Sequence, residues 1–323
     1  MSVAVPSAPV PVGEAPVPIR GGVPGAARAA AMRARRGLHH IRRSPRMMVG
    51  SIVLLVFVLL AIFGPMFETN PNAFVGSPLH APSGRFLLGT TSSGQDVLAQ
   101  LIDSARGTLE VGFAAGAIAT VLSVFIGVTG ALVGGATDDV LNLFTNVVLV
   151  IPGLPLVIIV AAYVHSGGLI ATVLVIAFIS WAGSARVLRG MTLSLRSRDY
   201  VLAARVYGES TWRVIVVEVL PNLSAIIISG FIFSVIFAIL TQAGLSFLGL
   251  GDTSSMTWGN MLYLAQNDEA LTSGAWWWFA PPGLCIAIVG TSLALINFGL
   301  DELLNPRLRV WREPKAKGSE DVL

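Results

Sequence analysis

The sequence predicts an all-α integral membrane protein with six transmembrane helices and both termini on the cytoplasmic side. Three observations carry that prediction. The 323 residues are 54% hydrophobic and only 12% charged, against about 25% charge in an ordinary soluble domain. The apolar residues fall in long uncharged runs separated by short charged connectors, which is the pattern a bilayer demands rather than a water-soluble core. Finally, 19 of the 21 Lys and Arg residues lie in three segments that such a threading places on one side of the membrane.

Residues 1–46 are rich in Pro, Ala and Arg, with eight Arg and one Glu. They read as a basic cytoplasmic tail, disordered at least as far as Arg28. The tail is too long and too Arg-rich for a cleaved signal, and the run after it lacks a small-residue cleavage site. Residues 47–67 are therefore expected to be a retained first span. Further spans are expected at 111–136, 140–164 and 167–185. The last two come from longer uncharged runs and are placed near 223–248 and 281–300. Each is long enough for the roughly 20 residues a helix needs to cross the hydrocarbon. Three connectors are long enough to suggest a function: an external loop at 68–106, a cytoplasmic excursion at 186–218, and a second external loop at 249–280 that carries Trp258 and Trp276, Trp277 and Trp278.

Orientation follows from the basic residues. Eight precede the first span, six lie in the excursion (Arg186, Arg189, Arg196, Arg198, Arg205, Arg213) and five follow the last span. The external segments hold only Arg85 and Arg106, and the last external loop has Asp252, Asp268 and Glu269 without a basic residue. The positive-inside rule then puts both ends in the cytoplasm. The short Asp138-Asp139 turn would be cytoplasmic without any positive charge of its own, but acidic residues have little orienting weight.

Several chemistries are excluded. A single cysteine, Cys285, rules out a disulfide framework and a Cys-based cluster, and His39, His40, His80 and His165 are scattered, so neither metal nor cofactor is expected. The basic residues mark orientation rather than nucleic-acid binding. There is no G-x-x-x-x-G-K-[ST] phosphate loop, no H-E-x-x-H and no G-x-S-x-G. Ion-coupled carriers commonly place ionisable residues at the membrane midplane, and the expected spans have none. Glu110 at a helix entrance and His165 at a helix exit read as satisfied interfacial residues. A transporter of this composition needs its energy from another polypeptide; the rivals are an ion-coupled carrier and a membrane scaffold that only recruits partners.

The excursion is where such a partner would act. In residues 199–222, Asp199 is expected to cap a short helix through Ala203, Ala204 and Arg205, and Gly208 to end it. Ser210 or Thr211 would cap the next helix, which runs to Leu220-Pro221 at the membrane face. The two alanines leave a slim surface suited to a partner's groove. The same residues also suit a plain surface helix-turn-helix joining two spans.

The pattern Ala203-Ala204-x-x-x-Gly208 followed by Leu220-Pro221 resembles the EAA loop of permease subunits in binding-protein-dependent ABC importers. Residues 88–112 (LGTTSSGQDVLAQLIDSARGTLEVG), 243–251 (AGLSFLGLG), 257–262 (TWGNML) and 276–309 are similar to the dipeptide, oligopeptide and nickel branch of that family. The likeness runs over about 47–309. It implies a type I ABC importer permease with a five-helix core at 107–305, a C-terminal tail at 306–323, and a site in the inner (plasma) membrane. It also implies a non-catalytic subunit that takes up peptides, or in some branches nickel or oligosaccharide. The implied partners are a homologous second permease, two ATPase domains and an extracytoplasmic binding protein, in a lipid membrane. The loop would be the helix that couples to the ATPase, so Ala203, Ala204, Arg205, Gly208, Leu220 and Pro221 are the coupling candidates. The chain departs from the family at Leu202, where Glu is usual, at Gln95, where a basic residue is common, and at Asn305, where Asp is common.

Polar residues in the expected spans include Asn142, Asn146, Ser180, Ser234, Thr241, Gln242 and Asn297. Of these, Asn142, Asn146, Ser234, Thr241 and Gln242 are candidates to line a solute path, and all also suit interhelical hydrogen bonding. Pro152 and Pro155 are expected to bend the third helix. The spacings Gly112 to Gly116 and Gly130 to Gly134 signal close helix contact.

Overall fold

A computed structural model describes residues 44–67, 70–163, 168–251 and 255–304. These all belong to the compact unit Ile41–Leu323. The basic tail before Ser44, His165, Asp252, Asn305 and the tail at 306–323 lie outside the described residues. Among the described residues the regular secondary structure is helical, apart from two isolated β-bridges in the irregular segment 70–96.

Helix α1 is Pro45–Phe67, close to the expected first span. Helix α2, Val97–Val133, begins fourteen residues before the expected start at 111. The Asp96 carboxylate caps it by accepting from the Leu98 amide at 2.9 Å, and Arg106 pairs with Glu110 one turn on at 2.9 Å. Charges that read as a connector are thus tolerated on an exposed helical face. Glu110 stands inside this helix rather than at its entrance. At 37 residues α2 is about 55 Å long, well beyond the hydrocarbon thickness of about 30 Å.

The expected third span at 140–164 is not one helix. Helix α3 is Gly135–Val150 and α4 is Gly153–Tyr163, with Ile151 in an extended conformation between them. Pro152 is the cause: its ring disfavours the α conformation at Ile151, and it has no N–H to continue the ladder. The prolines therefore break this segment rather than bend it. Among the described residues five helices are long and apolar enough to cross a membrane: Pro45–Met66, Val97–Val133, Gly168–Arg196, Thr211–Phe247 and Trp276–Glu302. Helix α5 is Gly168–Arg196, and the short α6 is Asp199–Val206. Helix α7 runs through Thr211–Phe247, including a π-helical stretch at Val214–Val219. Helix α8 is Trp258–Asn267 and α9 is Trp276–Leu304. The second expected external loop is thus partly helical.

Helix α2 is the centre of the bundle and packs most extensively on α5 and α7, while α1 lies along α9. Close approach explains the first small pair. A Cβ on Gly112 would sit 2.5 Å from Ile239 Cγ1, and one on Gly116 2.6 Å from Val235 Cγ2. Gly130 to Gly134 works differently: Gly134 is outside the helix, capping α2 with φ +76°. Gly134 makes a turn, while Gly130 does face a helix, a Cβ there lying 3.3 Å from Leu141 Cδ1 of α3.

The segment 70–96 folds as a cap over one end of the bundle. Thr90 is buried, donating its hydroxyl to the Ser77 carbonyl at 2.6 Å and accepting from the His80 amide at 2.8 Å. Trp277 Nε1 donates to the Thr90 carbonyl at 3.3 Å, and Ser92 bonds Asp268. At the same end Trp258 is fully buried; its amide donates to Thr108 Oγ1 and its indole to the Leu101 carbonyl, both at 3.0 Å.

Candidate functional site

The opposite end of the bundle carries the arginine-rich segment. Helix α6 spans eight residues, and its cap is Arg198, not Asp199. Asp199 occupies the first turn, where its negative charge favours the positive end of the helix dipole. The other end is a Schellman closure: the Gly208 amide donates to the Arg205 carbonyl at 3.0 Å and the Glu209 amide to the Ala204 carbonyl at 3.1 Å. Gly208 takes φ +81°, the left-handed conformation this closure requires. Ser210 then caps α7 by accepting from the Arg213 amide, and Arg213 pairs with Glu209.

The two faces of α6 differ. Val201 is fully buried in a cluster with Val128 and Leu132 of α2, Leu188 of α5, and Val214, Ile215 and Val219 of α7. Ala204 and Leu220 pack against the same cluster. Outward, Leu202 and Ala203 are exposed, and the tip presents Val206 at 85% and Tyr207 at 87% exposure. Trp212, at the start of α7, is exposed as well. A groove of about 340 Å³ between α6 and the foot of α7 is lined by Tyr200, Ala203, Ala204, Tyr207 and Arg213. Such a contiguous apolar tip marks an interaction surface.

Leu220 and Pro221 do not end a helix. They sit within α7, where π geometry gives way to α: the Leu220 amide donates to the Ile215 carbonyl five residues back. Pro221 has no amide to donate to the Val217 carbonyl, and its ring would collide with that carbonyl in a tight α turn. The wider π turn relieves the collision.

Three arginines close over the α2–α3 turn: Arg205, one of the coupling candidates, and Arg189 and Arg196, which sequence reasoning missed as site residues. Arg189 makes two hydrogen bonds to the Asp138 carboxylate, 2.7 and 2.9 Å. Arg196 Nη1 donates to the Ala131 carbonyl at 3.1 Å, and Arg205 Nη2 to the Leu132 carbonyl at 2.8 Å. The Asp138 carboxyl is held below the usual carboxylate range, first by the hydrogen bonds from Arg189, then by the nearby charges of Arg189 and Arg196, against the opposing effect of burial. The acidic turn without positive charge is therefore supplied with it from α5 and α6. The available signal was the seven-residue spacing of Arg189 and Arg196, two helical turns on one face.

The five path candidates do not converge. Asn142 and Asn146 are half-buried on α3, and Asn146 accepts from Arg186 Nη2 at 2.7 Å. Ser234, Thr241 and Gln242 are buried on α7. Gln242 donates to Ser246 Oγ at 3.0 Å and to Thr257 Oγ1 at 2.9 Å, bridging α7 to the segment leading into α8. None of the five lines the groove of about 260 Å³ between α2, α5 and α7, whose wall includes Thr120, Ser123, Ser184, Ser229, Gly230 and Phe233. Among the described residues no cluster of His, Cys, Asp or Glu is arranged to hold a metal ion.

A multi-span helical bundle of this kind, with an exposed apolar helix at its charged end, is a membrane permease component. Residues 119–310 match the family described as binding-protein-dependent transport system inner membrane component, and the chain belongs to it. Residues 33–82 match the N-terminal transmembrane domain of oligopeptide transport permease C. The chain is 32% identical to the oligopeptide transport system permease protein OppC of Bacillus subtilis over 267 residues, 81% of this chain and 86% of that protein. It is also 32% identical to the di/tripeptide transport system permease protein DppC of Pseudomonas aeruginosa over 269 residues, 80% of this chain and 88% of that one. Against the dipeptide transport system permease protein DppC of Bacillus subtilis the identity is 31% over 278 residues, 83% and 84% of the two chains.

Proposed function

We propose that this chain is a translocation subunit of an ATP-driven importer in the inner (plasma) membrane, taking up dipeptides or oligopeptides handed over by an extracytoplasmic binding protein. The observation that carries the reading is the exposed helix α6, closed by Gly208 and seated on the feet of α2, α5 and α7, in a chain whose relatives are named peptide permeases. The chain does no chemistry. ATP is hydrolysed by two partner ATPase domains, and a homologous second permease completes the path.

In this reading Ala203 presents the slim side of α6 to the ATPase, Ala204 lets the helix sit close on the cluster beneath it, Val206 and Tyr207 supply its apolar anchor, and Gly208 sets the angle at which the helix is offered. Leu220 and Pro221 pass the displacement into α7. Leu202, where the family usually has Glu, adds to the apolar tip, so the contact with the ATPase leans more on burial and less on ion pairing. Both termini lie in the cytoplasm, and the broken segment α3–α4 makes up the sixth crossing. Asn142 and Asn146, with the hydroxyl-bearing groove between α2, α5 and α7, form the path wall. Ser234, Thr241 and Gln242 brace that wall from within the bundle.

The test is reconstitution in vesicles with the second permease, the ATPases and the binding protein. ATP inside is expected to drive accumulation of a peptide ligand of that binding protein, and this chain alone is expected to move nothing. Uptake by the isolated chain along an ion gradient would overturn the reading.

A further inference from the structure

We propose that Arg205 is a positioning residue that ties α6 to α2, so that α2 moves as one body with the docking helix and carries its displacement across the membrane. The inference rests on the docking role proposed above but assigns Arg205 inward, to the permease itself, rather than to the ATPase contact.

The chain joins α6 directly to α5 through Ser197 and to α7 through Gly208, yet nothing covalent joins it to α2. Helix α2 ends in carbonyls with no helical partner. Gly134 returns its amide to the Gly130 carbonyl at 2.9 Å. The next two carbonyls, Ala131 and Leu132, accept from Arg196 and Arg205. A guanidinium is always charged and suits the negative end of a helix dipole, so these are strong, directional links. Gly134 is needed for this as well as for its φ of +76°, because a Cβ there would lie 2.9 Å from Arg196 Nη1.

Beneath the polar links, Val201 and Ala204 of α6 share an apolar cluster with Val128 and Leu132 of α2. Helix α2 then runs the full depth of the bundle to Asp96, and on the way Leu101 and Thr108 hold the buried Trp258 of α8. A shift imposed at Leu132 therefore reaches the far end through one continuous helix.

The experiment uses the complete transporter in proteoliposomes and compares wild type, R205M and R205K. Methionine keeps the aliphatic stem and removes every donor; lysine keeps a cation able to reach the carbonyl. R205M is expected to retain its ATPase subunits and to hydrolyse ATP within about twofold of wild type, while uptake per ATP falls about tenfold, the scale of one charge-assisted hydrogen bond. R205K is expected to recover part of that ratio. An unchanged ratio in R205M overturns the clamp, and so does loss of the ATPase subunits from R205M, which would place Arg205 on the docking surface. If R205M does not accumulate, spin labels at the exposed positions Val133 and Asp199, in a Cys285→Ser background, decide the matter in an otherwise wild-type chain. Their separation is expected to stay constant between nucleotide-free and ATP-trapped states, and a change between those states overturns the inference. A wild-type complex that contains no ATPase would overturn the docking reading and the clamp together, whereas normal coupling in R205M overturns the clamp alone.

Discussion

Gly208 holds φ at +81° with open space around the position a Cβ would take. A larger residue there meets no neighbour; what it meets is backbone strain, of order 1–3 kcal/mol. Gly208→Val is therefore expected to leave insertion and assembly intact and to reorient the tip of α6, so that uptake falls severalfold while ATP hydrolysis persists. Normal uptake by that variant, measured in the reconstituted complex, would remove Gly208 from the coupling role. Asp138 offers a second test. Its carboxyl is held low by Arg189, so the stability it contributes is complete above the ordinary carboxylate value of about 3.9 and is lost only as pH falls through its depressed native value. Asp138→Ala is expected to cost about 1.5–3 kcal/mol at neutral pH. Thermal unfolding in detergent should show wild type and variant converging only in strong acid; convergence already near pH 5 would contradict the pairing.

Two elements take their shape from single residues that the sequence places there. In α7 the π stretch Val214–Val219 lies directly before Pro221, and restoring the missing donor should let the helix tighten. Pro221→Ala is expected to convert that stretch to α geometry, turning the residues before it by about 100° relative to those after it. Spin-label distances from Trp212 to Phe233, both exposed, should change between wild type and variant; an unchanged distance would mean that the proline does not hold the π turn. The α2–α7 contact is set by absence of side chains at Gly112 and Gly116. Gly116→Val is expected to force the helices apart at a cost of about 1–3 kcal/mol, read as a lower melting temperature in detergent.

For the molecule as a whole, the arrangement separates two ends joined by α2 and α7. One end is the exposed α6 with its arginine links to α2; the other is the 70–96 cap with α8, tied by Ser92 to Asp268 and by Trp277 to Thr90. The proposed work of the protein is to make motion at the first end open or close the second. Much of this outline was legible in the chain. All five long membrane helices among the described residues include nearly the whole of an expected span, because an uncharged run of that length has few alternatives to a buried helix. Helix α2 was legible only from Val111 onward, since Asp103, Arg106 and Glu110 broke the apolar run while the Asp96 cap and the Arg106–Glu110 pair kept it helical. The turn at Gly208 was also readable, since a glycine after a short helical pattern fits few other conformations.

The sequence by itself determined that the chain lies in a membrane, where the apolar stretch of each long helix is, and which short segment is offered outward, because hydropathy, proline and glycine act over a few neighbouring residues. Only the tertiary structure decided what the polar and charged side chains do. Gln242 reads equally as path or packing until Ser246 and Thr257 are found beside it. Arg196 reads as an orientation signal, and Arg205 as that and a coupling candidate, until the carbonyls of Ala131 and Leu132 appear within reach, 65 and 73 residues away along the chain. A hydrogen bond depends on where two groups meet in space, and that is settled by how the helices pack.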